Sequence, residues 1–179
     1  CVELNPTSYM NASGLRKKIS NEVKSSAEFR QGVIWATHHR YPAAIPTVDV
    51  AIFNEEGDKL LMARKPNEDK WRFVGGFVGP GQTYESAARR EVAEETHLEI
   101  GDLQYVASCV VQDWRYRSEV DKITTTLFKS KYVFGCPTPD DDISELKWFT
   151  VEELSTKEAI DRLLVPIHQP LMEKLIESI

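Results

Sequence analysis

The chain predicts an α/β fold in which a mixed β-sheet lies between layers of helix, and three observations carry that expectation. Runs rich in β-branched and aromatic residues, TVDVAIFN at 47–54 and ITTTLFKSKYVF at 123–134, have the composition of strands. A glycine-rich loop at 75–81 feeds a stretch near 83–97 that suits a helix. From Lys157 onward the pattern is helical again, interrupted by Pro166, which cannot donate to the helical ladder.

The elements follow in order. Leu15, Ile19 and Val23 recur at helical spacing ahead of Phe29 and predict a short amphipathic helix within 11–30. Pro42 and Pro46 bracket an extended link, so residues 1–45 form an N-terminal helical arm and linker and 46–179 the main domain. The strand at 47–54 ends in the turn Asn54-Glu55-Glu56-Gly57-Asp58, and Lys59 to Arg64 pairs back on it. A short strand at 71–74 leads into the glycine loop, and further strands are expected at 103–112, 123–134 and 145–149, with Trp148 and Phe149 in the core. Helices follow at 151–154 and from 157 to the end.

Composition narrows the class. The 179 residues are one domain's worth of chain, 41% hydrophobic and 28% charged, as in ordinary water-soluble proteins. A formal charge of -6 argues against nucleic acid as a partner, so an anionic substrate must be received locally, by a metal and a few Arg or Lys. No apolar run approaches the roughly 18 residues of a membrane span. Three cysteines without metal-ligand spacing point to a reducing, cytoplasmic compartment.

Residues 75–98, GGFVGPGQTYESAARREVAEETHL, concentrate the chemistry. On a helix Glu91 lies beside both Glu94 and Glu95, and like charges at those spacings each cost roughly 0.2 to 0.5 kcal/mol. They also fall late in the helix, where its macrodipole disfavours anions. A cation should compensate them. Oxygen-only donors suit Mg2+ or Mn2+ better than zinc, which would want His or Cys. Gly75 and Gly76 let the backbone come close enough to add a carbonyl to that metal shell.

The same segment closely resembles the signature of the Nudix hydrolases: a Gly, five residues, a Glu, seven residues, then Arg-Glu, an aliphatic, any residue, Glu-Glu, any residue, Gly and an aliphatic. The matching positions are Gly76, Arg90, Glu91, Val92, Glu94, Glu95 and Leu98. The resemblance implies the Nudix α/β/α sandwich over about residues 46–177, metal ligation by the glutamates, and Arg90 bracing loop against helix. Two positions depart from it. Gln82 replaces a glutamate and can still accept from Arg90, without charge assistance. His97 replaces a glycine that often takes a left-handed C-cap; this ending looks like Nudix domains associated with NAD metabolism.

Other candidates lie outside that segment. Arg64 is placed to reach a phosphate, or else stands at a solvent-facing strand end. Trp114 and Tyr116 offer rings for stacking, and Arg117 a guanidinium for phosphate, matching an Arg that precedes Ile-Thr in similar domains. Glu119 and Asp121 are candidates for a general base. Asp140 to Asp142 suit a solvated turn. His168 matches a histidine in the final helix of similar NAD-related domains, and otherwise suits simple packing.

The resemblance implies Mg2+- or Mn2+-dependent hydrolysis of a nucleoside diphosphate linked to another group, with ADP-ribose cleaved to AMP and ribose 5-phosphate as the leading case. Metal would bridge the diphosphate oxygens and activate water. Two alternatives stand beside it: a nucleotide-sensing Nudix domain that does not cleave, and a housecleaning hydrolase of nucleoside triphosphates. The expected partner is a small nucleotide, with no nucleic acid and no membrane, and a homodimer is a candidate assembly.

Overall fold

The structure is a computed structural model that describes residues 26–28, 31, 43–112 and 121–179. The chain divides into two compact units, Cys1–Pro42 and Ala43–Ile179. The helix predicted within 11–30 lies almost wholly outside the described residues.

In the second unit the strands are β1 (Ala44–Phe53), β2 (Lys59–Arg64), β3 (Val74–Phe77), β4 (Glu99–Ile100), β5 (Gln104–Val111), β6 (Lys122–Phe134) and β7 (Glu145–Thr150). The helices are α1 (Tyr84–Thr96), α2 (Lys157–Leu163) and α3 (Gln169–Glu177), with 3-10 turns at Glu152–Leu154 and Pro166–His168. One seven-stranded sheet runs β4-β6-β1-β2-β7, with β3 also paired to β1 and β5 to β6. It is mixed, because β1 runs parallel to β6 while its pairings with β2 and β3 are antiparallel.

The alternation along β1 builds both layers. Val48, Val50 and Ile52 pack with Leu61, Ala63 and Val74 beneath Ala87, Ala88 and Val92 of α1. Ala51 and Phe53 point the other way, to Leu60, Met62 and Leu127 and to Ile160, Leu171, Met172 and Leu175 of α2 and α3. The result is the expected α/β/α sandwich. Each fully covered Leu, Ile or Phe contributes roughly 1.5 to 3 kcal/mol of transfer free energy.

Several boundaries differ from expectation for identifiable reasons. Strand β1 starts at Ala44 and passes through Pro46, whose carbonyl still accepts from the Val78 N–H at 3.1 Å. The strand expected at 71–74 lies instead at Val74–Phe77, inside the glycine loop, since Thr47 to Val50 supply a backbone partner for it. Trp71 and Arg72 form only isolated bridges. Two-residue β4 carries no periodicity to be read. Trp148 is half-buried against the α1-side core, whereas Phe149 is in the core on the other side.

Candidate active site

Helix α1 begins at Thr83, whose hydroxyl accepts from the Ser86 N–H at 3.1 Å, so a side chain satisfies one of the free N–H groups of the first turn. It ends on His97 in the left-handed region, with φ 58° and ψ 24°. There the imidazole Nε2 meets Asp140 at 2.8 Å, a tie that glycine could not make. Between these caps the helix carries Arg90, Glu91, Glu94 and Glu95.

A cleft of about 410 Å3 opens where the edge of β3 meets α1. Gly75, Gly76, Arg90, Glu91 and Glu95 line it from the loop and helix. Glu95 is 3% exposed and its Oε2 accepts from the Gly75 N–H at 2.9 Å. Burial pushes its carboxyl up to about 8 against that hydrogen bond, and the Glu91 charge adds to the rise. Glu91 is also raised, chiefly by burial, although the adjacent Arg90 opposes the shift. A Cβ on Gly76 would lie 2.5 Å from Glu91 Oε1, so the glycine leaves room for that carboxylate. On Gly75 a Cβ would meet the Val48 carbonyl oxygen at 2.1 Å, which is why β3 can lie so close to β1.

Arg90 organises the neighbourhood. It donates to Glu94 at 2.7 Å, to the Phe77 carbonyl at 3.0 Å and to Gln82 Oε1 at 3.3 Å, and it pairs with Glu91 at 2.8 Å. Gln82 Oε1 in turn accepts from the Gly79 N–H at 2.9 Å. The glutamine thus ties the loop to the helix through its neutral amide oxygen, with charge only on the Arg90 side.

The remaining sequence candidates distribute unevenly. Glu94 is half-exposed and lines a separate shallow depression with His97, Asp140 and Asp141. Arg64 does not line the cleft: it pairs with Glu145 and lies over the Trp71 ring, 4.8 Å from its centroid. Arg64 shares the side of Leu60 and Met62, where Glu145 and Trp71 hold its guanidinium. The aspartates at 140–142 are more than a solvated turn, since Asp141 and Asp142 border the cleft. Trp114, Tyr116, Arg117 and Glu119 lie outside the described residues; Val111 and Ile123, on either side of that segment, line the cleft.

Four polar cleft residues had no role in the sequence reading: Thr47, Asp49, Lys65 and Arg72. Lys65 pairs with Asp142, and Arg72 with Glu68. A charge inside the otherwise apolar run TVDVAIF was the available signal for Asp49. His168, expected in the final helix, lies in the 3-10 turn before it and also lines the cleft.

The NUDIX domain model matches residues 44–174, and the chain belongs to that family. Such a domain is a pyrophosphohydrolase domain, acting on a nucleoside diphosphate linked to another moiety and typically dependent on Mg2+ or Mn2+. Among relatives, the chain is 30% identical over 142 residues to the NAD-capped RNA hydrolase NUDT12 of Homo sapiens, covering 76% of this chain and 29% of that protein. It is 31% identical over 119 residues to the NAD-capped RNA hydrolase NudC of Pseudomonas aeruginosa (strain LESB58), covering 65% of this chain and 40% of the relative. The chain therefore spans well under half the length of these relatives. Among solved structures, the E. coli ORF135 protein aligns with a TM-score of 0.59 at 26% identity, covering 76% of this chain and 91% of that one.

These relatives correct one expectation. Net charge argued against nucleic acid, yet NUDT12 and NudC are named for hydrolysing a capped RNA. The charge of -6 describes the whole surface, whereas the end of a strand needs only a local site.

The donor set fits a hard divalent cation: two buried carboxylates, Glu91 and Glu95, beside the backbone of Gly75 and Gly76. Among the described residues no three Asp, Glu, His or Cys side chains are already gathered for an ion, because Arg90 engages Glu91 and Glu94. Among the described residues, no helix is long and apolar enough to cross a membrane.

Proposed function

We propose that this domain hydrolyses the diphosphate of ADP-ribose, with water adding to one phosphorus, the bridging P–O bond breaking, and AMP and ribose 5-phosphate leaving. The observation that carries the reading is the meeting, in one cleft, of buried Glu91 and Glu95 with the cations Lys65, Arg72 and Arg90. Mg2+ or Mn2+ held by Glu91, Glu95 and a Gly75 or Gly76 carbonyl, with Glu94 alongside, would neutralise diphosphate charge and acidify water. The protein's own part is positioning. Lys65 and Arg72 exchange their present carboxylate partners for phosphate oxygens, and Arg90 holds the glycine loop at the mouth of the site. In the same reading Glu119 is the candidate base, and Trp114, Tyr116 and Arg117 contact the nucleotide.

The test is turnover of ADP-ribose with Mg2+ and with Mn2+, products resolved by chromatography. Glu91→Gln and Glu95→Gln should each lower kcat by at least about a hundredfold, the scale of removing a group that stabilises developing charge, while far-ultraviolet circular dichroism stays unchanged. Full activity in both variants would remove these residues from the mechanism. The relatives favour a second reading, in which the substrate is NAD or an RNA carrying it as a cap. Comparing kcat/KM for ADP-ribose, NAD and NAD-capped RNA ranks the two.

A further inference from the structure

Beside the acidic helix, a second polar group occupies the cleft, on the opposite face of the sheet. Asp49 is only 6% exposed, in the middle of β1, and alternation sends it to the side of Ala51 and Phe53, away from α1. A buried carboxylate there is costly unless hydrogen-bonded. Thr125, fully buried in β6 and diagonal to Asp49 because it pairs with Thr47, donates its hydroxyl to Asp49 Oδ2 at 2.5 Å. His168 Nε2 stands 3.5 Å from Oδ1.

The histidine is held in one orientation. Its Nδ1 accepts from the Phe73 N–H at 2.9 Å, and its ring stacks on Phe73 with centroids 5.7 Å apart. With Nδ1 used as an acceptor, the proton of the neutral ring is on Nε2, facing Asp49. The carboxylate is thus fixed from two sides. It still has acceptor capacity, since two oxygens offer about four lone-pair sites and Thr125 and His168 engage two of them.

Chemistry selects what that capacity serves. A carboxylate repels phosphate, and the cleft has Lys65, Arg72 and Arg90 for that purpose. A substrate that carries phosphate offers its sugar hydroxyls as donors instead, and a vicinal diol matches the two oxygens of a carboxylate. Thr47, beside Asp49 in the cleft lining, supplies a further hydroxyl. We propose that Asp49 accepts the vicinal hydroxyls of a ribose of the substrate, with His168 as its positioning residue. This rests on the diphosphate-hydrolase reading and adds to it the group that reads the sugar.

Four probes test it by calorimetry: ribose 5-phosphate against 2-deoxyribose 5-phosphate, and AMP against 2′-deoxy-AMP. The wild type should prefer the diol in one pair by at least about tenfold, the scale of a hydrogen bond to a charged group. Asp49→Asn should bring that preference within about threefold while leaving inorganic phosphate binding unchanged. His168→Gln should retain part of it. No preference in either wild-type pair overturns the proposal without any variant. Equal weakening of all four probes and of phosphate in Asp49→Asn also overturns it, because that is the signature of a merely structural tie. Should Asp49→Asn lack a cooperative melt, His168→Gln decides: undiminished preference there overturns the positioning role, and partial loss supports it. Binding needs no turnover, so a wild type that prefers the diol yet leaves ADP-ribose intact refutes the reaction alone, and one that cleaves ADP-ribose without preference refutes the sugar reader alone.

Discussion

Burial holds the Glu95 carboxyl at about 8, while its ordinary value is near 4.5. Between those values the folded protein keeps a proton that the unfolded chain has lost, so rising pH destabilises the metal-free fold across that window. Glu91 acts in the same direction. His168 acts in the opposite direction and lower down: burial depresses it, so its contribution is lost only as pH falls below its ordinary 6.5. From about pH 6.5 to 8 the carboxyls therefore act alone. In chelator, the urea midpoint should fall over that interval, by an amount corresponding to one or two kcal/mol, and Glu95→Gln should flatten the decline. Added Mg2+ or Mn2+ should restore the wild type most strongly at the higher pH, because the cation needs the deprotonated form. A wild-type midpoint that stays level in chelator would show that Glu95 is not held protonated by its surroundings.

At the scale of elements, β3 and α1 act as a pair of jaws, and two adjacent glycines have different duties in it. Gly75 lets β3 press on β1, with φ 155° and the Val48 carbonyl oxygen where a Cβ would go. Gly76 keeps space for the Glu91 carboxylate. Gly75→Ala should therefore lower the urea midpoint substantially, since the obstacle is backbone. Gly76→Ala should leave the midpoint nearly unchanged and reduce kcat, because the obstacle is a side chain able to swing aside. Stability and rate measured on both proteins check this, and the reverse pattern would show the assignment of duties to be wrong. The spacing from Gly76 to Leu98 made this element pair legible, because a helix and the loop before it are local and their residues meet at fixed intervals. The strand within the loop was misplaced by three residues, because only pairing with β1 makes VGGF extended.

At the scale of the whole molecule, charge and cleft must be separated. The net charge of -6 repels a polyanion, while Lys65, Arg72 and Arg90 gather the local positive charge in the cleft. If a capped RNA is a substrate, its KM should rise with salt as expected for about two or three phosphate contacts, a log–log slope no steeper than about +2 on the single-strand scale. Measuring KM from 50 to 200 mM salt tests this, and a much steeper dependence would reveal an extended RNA track on the surface.

Helical spacing and turn chemistry are local properties, so the acidic helix, its bounds near 83 and 97, the strand order of the first hairpin and the family signature could all be read along the chain. The floor of the cleft could not. Thr125 reaches Asp49 from 76 residues away and Phe73 reaches His168 from 95, and no periodicity links such positions. Their meeting depends on the parallel pairing of β1 with β6 and on the docking of the C-terminal helices. Side-chain direction was equally hidden: Glu145 and Trp71 hold Arg64 outside the cleft, while Lys65, one residue later and past the end of β2, lines it.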